Sequence, residues 1–239
     1  MTGCYQPITL YRYVKDENIV GIKNLIKQEC NPNVLCKKDF KFKFNLDVQE
    51  SPLHLAVENN NVYIVTLLLD YGKANVDILN NYLETPLHQA CNNASVESAR
   101  VLIERNANLE LTTGAFQETP LHIACQCFCY HDAYHTIDDS YEMIILLIES
   151  GANIMTKCKD GSTVLHLIGA AIKEDVVDIA ELFLKGGVDI NAQDIYGNTP
   201  LHMAAEHNNR DLAKYLLEHG ANADIRNKDG KTPKILSYD

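Results

Sequence analysis

The chain has 239 residues, of which 46% are hydrophobic and 22% are charged, values that are ordinary for a globular protein. Its formal net charge of −11 argues against a nucleic-acid partner, because binding to phosphates depends largely on Lys and Arg. No segment reaches the ~18 to 20 uncharged apolar residues that a membrane-spanning helix needs, so no membrane partner is expected either.

The N-terminal residues indicate a protein that stays inside the cell. They lack a basic region followed by an apolar one, so no secretory signal is expected. The eight cysteines are then expected to be reduced thiols. The expected location is the cytoplasm, and the nucleus is the alternative. Further along, the apolar residues from Leu10 to Ile26 predict two short helices, and the basic run at Lys37 and Lys38 is interpreted as a solvated loop.

One phrase recurs along the rest of the chain. Five copies are followed by a partial one at 232–234; they occupy Ser51–Ala56, Thr85–Ala90, Thr119–Ala124, Thr163–Ile168 and Thr199–Ala204. Counted from leucine to leucine, the copies are 34, 34, 44 and 36 residues apart. A fixed period of this size is the signature of a repeat architecture.

The residue types of the phrase predict how each unit begins and ends. Thr or Ser before Pro is typical of a helix N-cap followed by proline at the first helical position. A second apolar run at helical spacing follows each copy and closes with a residue that can adopt the left-handed conformation. Those closing residues are Gly72, Asn106, Gly151, Gly187 and Gly220.

The phrase T-P-L-H-x-A with a period near 33 resembles the ankyrin repeat. The resemblance implies an all-α fold, a solenoid of stacked helix-turn-helix units with projecting hairpin loops, within a single ankyrin-repeat domain over residues 1–239. We expect a degenerate capping repeat at 1–35 and an insertion at 36–50. The repeats are expected at 51–84, 85–118, 119–162, 163–198 and 199–231, with a partial C-terminal cap at 232–239 in which Lys234 replaces the buried leucine.

Five histidines occupy the same place in successive copies, namely His54, His88, His122, His166 and His202. Regular histidines could indicate metal binding, but stacked helices lie about 8 to 10 Å apart, so equivalent side chains cannot easily share an ion. The resemblance implies instead that each of these histidines hydrogen-bonds backbone between repeats.

A cysteine-rich segment is the one candidate for metal chemistry. An insertion is expected at 126–140, and it opens with Cys127, Cys129, His131 and His135. Thiolates and imidazoles this close in sequence can bind zinc. Their C-x-C spacing differs from the usual C-x2-C, and so an ordinary insertion with partly buried thiols is the favoured interpretation. No cofactor is expected, and a metal- or redox-responsive protein is the alternative from another functional class.

The sequence contains none of the common nucleotide-binding, hydrolase or metalloprotease motifs, so we expect a monomeric, non-catalytic scaffold or adaptor that binds a polar or basic protein. In a solenoid the partner surface is the concave face, made here by loop tips and first helices. The residues expected to contact the partner are Tyr82, Phe116 and Tyr196 on the tips, and Glu58, Asn59, Asn92, Asn93, Glu206 and His207 on the helices. More specific alternatives are an inhibitor of a transcription factor of the IκB type and a host-targeting effector that mimics ankyrin proteins.

Overall fold

A computed structural model describes residues 6–37, 48–129, 137–171 and 175–233. Two compact units make up the chain, Met1–Ala115 and Phe116–Asp239. Within the described residues the only strands are two of two residues each, so the predicted all-α class is confirmed. None of the described helices is long and apolar enough to cross a membrane.

In its described residues the first unit has three helix pairs and one short hairpin. Its elements in chain order are α1 Gln6–Lys15, α2 Ile19–Lys27, β1 Cys36–Lys37, β2 Gln49–Glu50, α3 Pro52–Glu58, α4 Val62–Asp70, α5 Pro86–Asn92 and α6 Val96–Glu104. The first helix of each pair packs on the next first helix (α1, α3 and α5), and the second helices α2, α4 and α6 form another layer. Strand β1 pairs antiparallel with β2, with Cys36 opposite Glu50.

The second unit repeats the same two-layer arrangement. Its helices are α7 Pro120–Cys129, α8 Ile137–Glu149, α9 Val164–Leu167, α10 Val176–Lys185, α11 Pro200–Glu206 and α12 Arg210–Glu218. Helix α9 continues as one 3₁₀ turn, Ile168–Ala170. Helices α7, α9 and α11 pack in the first layer, and α10 packs on α12 in the second.

The recurring phrase builds the start of every first helix. Ser51 is the N-cap of α3, its hydroxyl accepts the His54 backbone N–H at 3.3 Å, and Pro52 occupies the first helical turn. The leucine and alanine that follow are buried in every copy that has both, as with Leu87 and Ala90, each 0% exposed. The six residues of each copy therefore provide both the N-cap of the helix and the side chains that it buries.

The histidines of the phrase link the first helix of one repeat to the loop that leads to the next copy of the phrase. The Nδ1 atom accepts the backbone N–H three residues earlier, at 3.1 to 3.3 Å, so the proton resides on Nε2. Nε2 then donates to a carbonyl about thirty residues ahead. The pairs are His54 to Glu84 (3.1 Å), His122 to Thr156 (3.3 Å), His166 to Asn198 (3.0 Å) and His202 to Lys231 (3.0 Å). The predicted backbone-bonding role is confirmed for these four.

Four of the five expected left-handed residues are confirmed; they are Asn106, Gly151, Gly187 and Gly220, with φ of 60°, 92°, 90° and 97°. Gly72 is the wrong one, because Lys73 takes that conformation instead, with φ of 57°. A side chain at Gly72 would bring its Cβ within 2.7 Å of the Leu68 carbonyl oxygen. Glycine is therefore required at position 72 because the backbone there lies close to the Leu68 carbonyl of α4, and not because position 72 needs a positive φ.

The insertion expected at 126–140 is helical at both ends. Helix α7 continues to Cys129 and α8 begins at Ile137, while residues 130–136 lie outside the described part of the chain. Phe128, 0% exposed, lies on the same helical face as Leu121 and Ala124 and continues their packing. This extra buried ring explains why α7 is longer than α3, α5 and α11. Lys234 also lies outside the described residues.

The backbone two residues before the Thr of each copy is left-handed, but its strain differs between copies. Gly161, Gly197 and Gly230 adopt φ of 81°, 77° and 75°, but Leu83 and Gln117 occupy the equivalent place with φ of 61° and 53°. For a residue with a Cβ this conformation costs roughly 1 to 2 kcal/mol.

Replacing Gln117 by glycine is expected to raise the free energy of unfolding by about 0.5 kcal/mol, since relief of ~1 to 2 kcal/mol of strain exceeds the ~0.4 to 1 kcal/mol entropy cost of glycine. The matched variant Gly161→Ala is expected to lower it by roughly 1 to 2 kcal/mol, because the new Cβ is strained and lies 3.3 Å from the Ile195 amide nitrogen. Urea unfolding followed by circular dichroism measures both. Equal effects of the two variants would contradict the strain argument.

The buried histidines also predict a pH dependence of stability. Burial lowers the pKa of His122 and His166 below the ordinary 6.5, because a charged imidazole would be desolvated. The unfolded chain takes up these protons more readily, so the free energy of unfolding is complete above pH 6.5 and falls as the pH decreases toward the folded-state pKa. We expect a lower urea midpoint at about pH 5.5 than at about pH 7.5.

His166→Gln is expected to be less stable at neutral pH and to show a smaller loss on acidification. His207 is exposed at the end of α11, so His207→Gln serves as the control and should keep the pH profile of the parent protein. A profile that is unchanged in His166→Gln would assign the acid sensitivity to other groups.

Candidate functional site

Tight turns just before the first helices carry the candidate partner-binding residues. In the turns that carry Tyr82 and Tyr196, one polar side chain accepts two backbone N–H groups, a geometry that asparagine and aspartate favour. Asn80 accepts from Tyr82 at 2.8 Å and from Glu84 at 2.9 Å. Asp194 holds Tyr196 and Asn198 in the same way, both at 2.8 Å. Tyr82 and Tyr196 therefore project from turns whose backbone is fixed by a side chain, whereas the turn of Phe116 has Gly114 at the equivalent position.

Neighbouring turns of the second unit are joined by backbone hydrogen bonds into a row. The amide of Lys159 donates to the Phe116 carbonyl at 2.8 Å, and Ile195 donates to Asp160 at 2.7 Å. Lys228 continues the row by donating to Tyr196 at 2.9 Å. One hydrogen bond per step places Phe116 and Tyr196 on either side of the turn that carries Asp160.

The first unit builds its own row from the hairpin. Gln49 of β2 exchanges hydrogen bonds with Asn81, through its amide to the asparagine side chain (2.8 Å) and through its carbonyl (3.2 Å). Tyr82 then accepts from the Gly114 amide at 3.1 Å. The end of the insertion expected at 36–50 is thus part of the row of turns, which sequence analysis did not foresee.

The three predicted tip aromatics are exposed. Tyr82 is 41% exposed, Phe116 65% and Tyr196 60%. Apolar area held in water on a rigid turn suits contact with a partner at small entropic cost.

The turns and loops carry further exposed apolar side chains that sequence analysis missed. These are Leu79, Leu83, Met155 and Ile195, between 40% and 53% exposed. Leu83 could have been identified from the sequence, because it occupies the position where later copies have glycine and where the turn requires positive φ. The other three occupy positions with no such signal.

The predicted helix residues lie where the first helices end. Glu58, Asn92 and Glu206 are the last residues of α3, α5 and α11, and the next residue in each case is the C-cap. The C-caps Asn59 and His207 are exposed, and Asn93 is half-buried. They form one polar rim at the carboxyl ends of the first-helix layer within each unit.

An open cleft of about 540 Å³ in the second unit unites the two kinds of predicted residue. Tyr196 of the tip row and Glu206 of α11 both line it, together with Lys228, Asp229 and Lys231 of the last described turn. Its charged walls are mixed, since the Lys231 ammonium lies 3.5 Å from the Asp229 carboxylate. The cleft offers an aromatic face flanked by charges of both signs.

The cysteine-rich segment is divided by the structure. Cys127 and Cys129 both belong to α7, two residues apart, a separation that points side chains to different sides of a helix. The Cys129 thiol donates to the Leu167 carbonyl at 3.1 Å and packs α7 on α9. His131 and His135 lie outside the described residues, and among the described ones no three metal-ligating side chains cluster.

Buried thiols elsewhere are kept in their protonated form. Burial raises the pKa of Cys158 to about 12, and it also raises the pKa of Cys30 and Cys36. Because the thiolate is the reactive species, these cysteines act as small apolar residues of the core.

Comparison with known proteins agrees with the architecture. The family model "Ankyrin repeats (3 copies)" matches residues 10–113 and 131–229. The chain is similar to the putative ankyrin repeat protein FPV244 of fowlpox virus (strain NVSL), 40% identical over 74 residues, which cover 31% of this chain and 11% of that protein. It is also similar to the 2-5A-dependent ribonuclease of Homo sapiens, 40% identical over 73 residues, or 30% of this chain and 10% of the ribonuclease.

A third relative, a putative ankyrin repeat protein of Rickettsia bellii (strain RML369-C), is 34% identical over 108 residues, 43% of this chain and 61% of that protein. The chain thus spans about a tenth of the first two relatives and less than two thirds of the third. Among solved structures, the ankyrin repeat domain of Bcl-3, described as a member of the IkappaB protein family, superposes with a TM-score of 0.71 at 24% identity. The match covers 97% of this chain and 94% of that one, and shows the same fold. Phrase, histidine bridges, two-layer packing and family match agree: the chain belongs to the ankyrin repeat family.

Proposed function

We propose that the protein is a non-catalytic scaffold or adaptor that binds another protein through its loop tips and the polar rim of its first helices. Ankyrin repeats are generally protein–protein interaction modules. The observation that carries the proposal is the exposure of Tyr82 on the row of turns in the first unit, and of Phe116 and Tyr196 on the row of turns in the second. Exposed rings on an ordered backbone contribute contact area without a large loss of conformational freedom.

The strained leucine supports the same surface. Leu83 is 49% exposed and holds φ of 61° at a position where glycine would be relaxed. Backbone strain that the fold does not need is found preferentially at functional sites. Burial of Leu83 and Tyr82 against a partner would offset that strain.

The chemistry of the rim favours a polar or basic partner segment. Glu206 lines the cleft of the second unit together with Tyr196, and Asn92 and Asn93 provide amides in the first. The net charge of −11 also attracts basic partners at long range. A partner with a basic or amide-rich segment next to an apolar side chain would complement this surface.

The alternatives named from the sequence stay proposals. Inhibition of a transcription factor in the manner of an IκB protein draws on the Bcl-3 likeness, which at 24% identity shows the fold alone. Action as a host-targeting effector draws on relatives from a virus and a bacterium, but human and mouse proteins match as well. A metal- or redox-responsive role would need ligands beyond the two α7 cysteines.

Alanine at Tyr82, Phe116 and Tyr196 together is expected to weaken partner binding by at least roughly tenfold while leaving the helical content unchanged, because the rings are exposed and contribute little to folding. Affinity purification from the native cell with parent and variant baits identifies the partner, and titration with the purified partner gives the ratio of Kd values. Unchanged affinity in the triple variant would place the partner on another surface.

Charge reversal in the cleft tests the chemistry of the partner. Glu206→Lys is expected to weaken binding of the same purified partner by about tenfold, since a favourable charge contact becomes a repulsive one. Glu218→Lys is the matched control, because Glu218 is likewise the last residue of an exposed helix end, on α12 in the other layer. Equal losses of affinity in both variants would show only a long-range effect of net charge and would contradict a direct contact of Glu206 with the partner.

A further inference from the structure

The second-helix layer of the first unit carries a groove unrelated to the loop tips. It has a volume of about 430 Å³ and lies between α2 and α4. Ile26 and Leu67 form its floor, and the rings of Tyr63 and Tyr71 stand at its sides, 53% and 69% exposed. The two tyrosines are eight residues apart along a helix, which separates them by about 12 Å.

Comparison of the helices within this chain shows that the fold does not require these rings. Helices α4, α6 and α12 start from equivalent N-caps, Asn61, Ser95 and Asn209. Two residues after the cap α4 has Tyr63, where the other two helices have exposed Glu97 and Asp211. Ten residues after the cap Tyr71 stands where α6 has Arg105 and α12 has His219. The solenoid therefore accepts solvated charged or polar side chains at the positions of both Tyr63 and Tyr71.

The adjoining rim of the groove is basic. Lys23 and Lys27, one helical turn apart on α2, both line it, and the Lys23 ammonium lies 5.4 Å from the centroid of the Tyr63 ring. The acidic residue at the other rim, Asp70, is paired with Arg105, whose guanidinium donates two hydrogen bonds to it at 2.9 and 3.1 Å and a third to Glu104 at 3.2 Å. This ion pair also lowers the pKa of Asp70. In a chain with a net charge of −11 the groove is a local positive, aromatic patch.

We propose that this groove, lined by Tyr63, Tyr71, Lys23 and Lys27, docks an amphipathic helix of a second partner protein, with acidic residues placed toward the two lysines. Charge complementarity selects an acidic occupant, because the only carboxylate lining the groove is already paired with Arg105. The separation of the rings matches apolar side chains two turns apart on one face of a helix. The partner of the loop tips is expected to be polar or basic, so the two surfaces would hold partners of opposite charge.

The test uses the full chain and three synthetic helical peptides. One has leucines at i, i+4 and i+7 flanked by glutamates, the second has lysines in place of the glutamates, and the third has serines in place of the leucines. Binding is followed by fluorescence anisotropy and by NMR shifts of the α2 and α4 amides. The acidic leucine peptide is expected to bind and the other two to bind at least about tenfold more weakly.

Two variants locate the binding. Tyr63→Glu/Tyr71→Arg gives α4 the residues that α6 already carries, so it should fold, and it is expected to weaken the acidic peptide by at least roughly tenfold. Lys23→Glu/Lys27→Glu should reverse the preference toward the lysine peptide. The triple alanine variant of the loop tips is the control and should bind the acidic peptide as the parent chain does.

Several results would overturn the proposal. These are failure of all three peptides to bind, equal binding of the acidic and basic peptides, and undiminished binding by Tyr63→Glu/Tyr71→Arg. Sedimentation that shows a dimer of the parent chain, dissociated by the same double variant, would assign the groove to a second copy instead. Failure here leaves the tip surface unaffected, because that surface is tested with its own partner and variants.

Discussion

The bridging histidine is the interaction on which the rest of this solenoid depends. A neutral imidazole closes the start of its own helix through Nδ1 and fixes the following loop through Nε2, as His166 does between Thr163 and Asn198. The first bond is buried and the second is partly buried, and a buried backbone group left unsatisfied would cost about 1 to 3 kcal/mol. One side chain thus couples helix capping to repeat stacking, and it does so only in one tautomer and one protonation state.

The functional surface follows from that coupling. Because each loop is fixed to the helix of the preceding repeat, the turn at its end is rigid enough to bond to its neighbour, as Asp160 does to Ile195. Side chains that the turn does not need for its own geometry are then free to project into solvent. The exposed rings and the strained Leu83 occupy those places, whereas the repeated phrase itself is buried and unsuited to recognition.

The second-helix layer is subject to a weaker constraint. Its helices bury one face against the first layer, and the opposite face meets water, where charge is tolerated, as Glu97 and Asp211 show. Helix α4 departs from this pattern by presenting tyrosines beside the lysines of α2. The same two-layer architecture therefore offers two chemically different kinds of surface, polar and aromatic at the loop tips and first-helix ends, and basic and aromatic in the groove of the outer helices.

The sequence alone determined the parts of the fold that depend on local interactions. The T-P-L-H phrase predicts an N-cap and a proline at the start of each first helix. The all-α solenoid and the histidine bridges were implied by the resemblance of that phrase and its period to the ankyrin repeat. The exposure of Tyr82, Phe116 and Tyr196 could also be anticipated, because their position in each repeat is a turn. Their role in binding is still a proposal.

Only the tertiary structure decided what depends on packing between segments. Helix α7 is longer than α3, α5 and α11 and buries the ring of Phe128, and the left-handed residue after α4 is Lys73, while Gly72 closely approaches the Leu68 carbonyl. Helix α4 is apolar on nearly every side, so its sequence could not show which side chains face water. The cleft at Tyr196 and the groove at Tyr63 are each lined by residues of different repeats. These residues become neighbours only when the repeats stack.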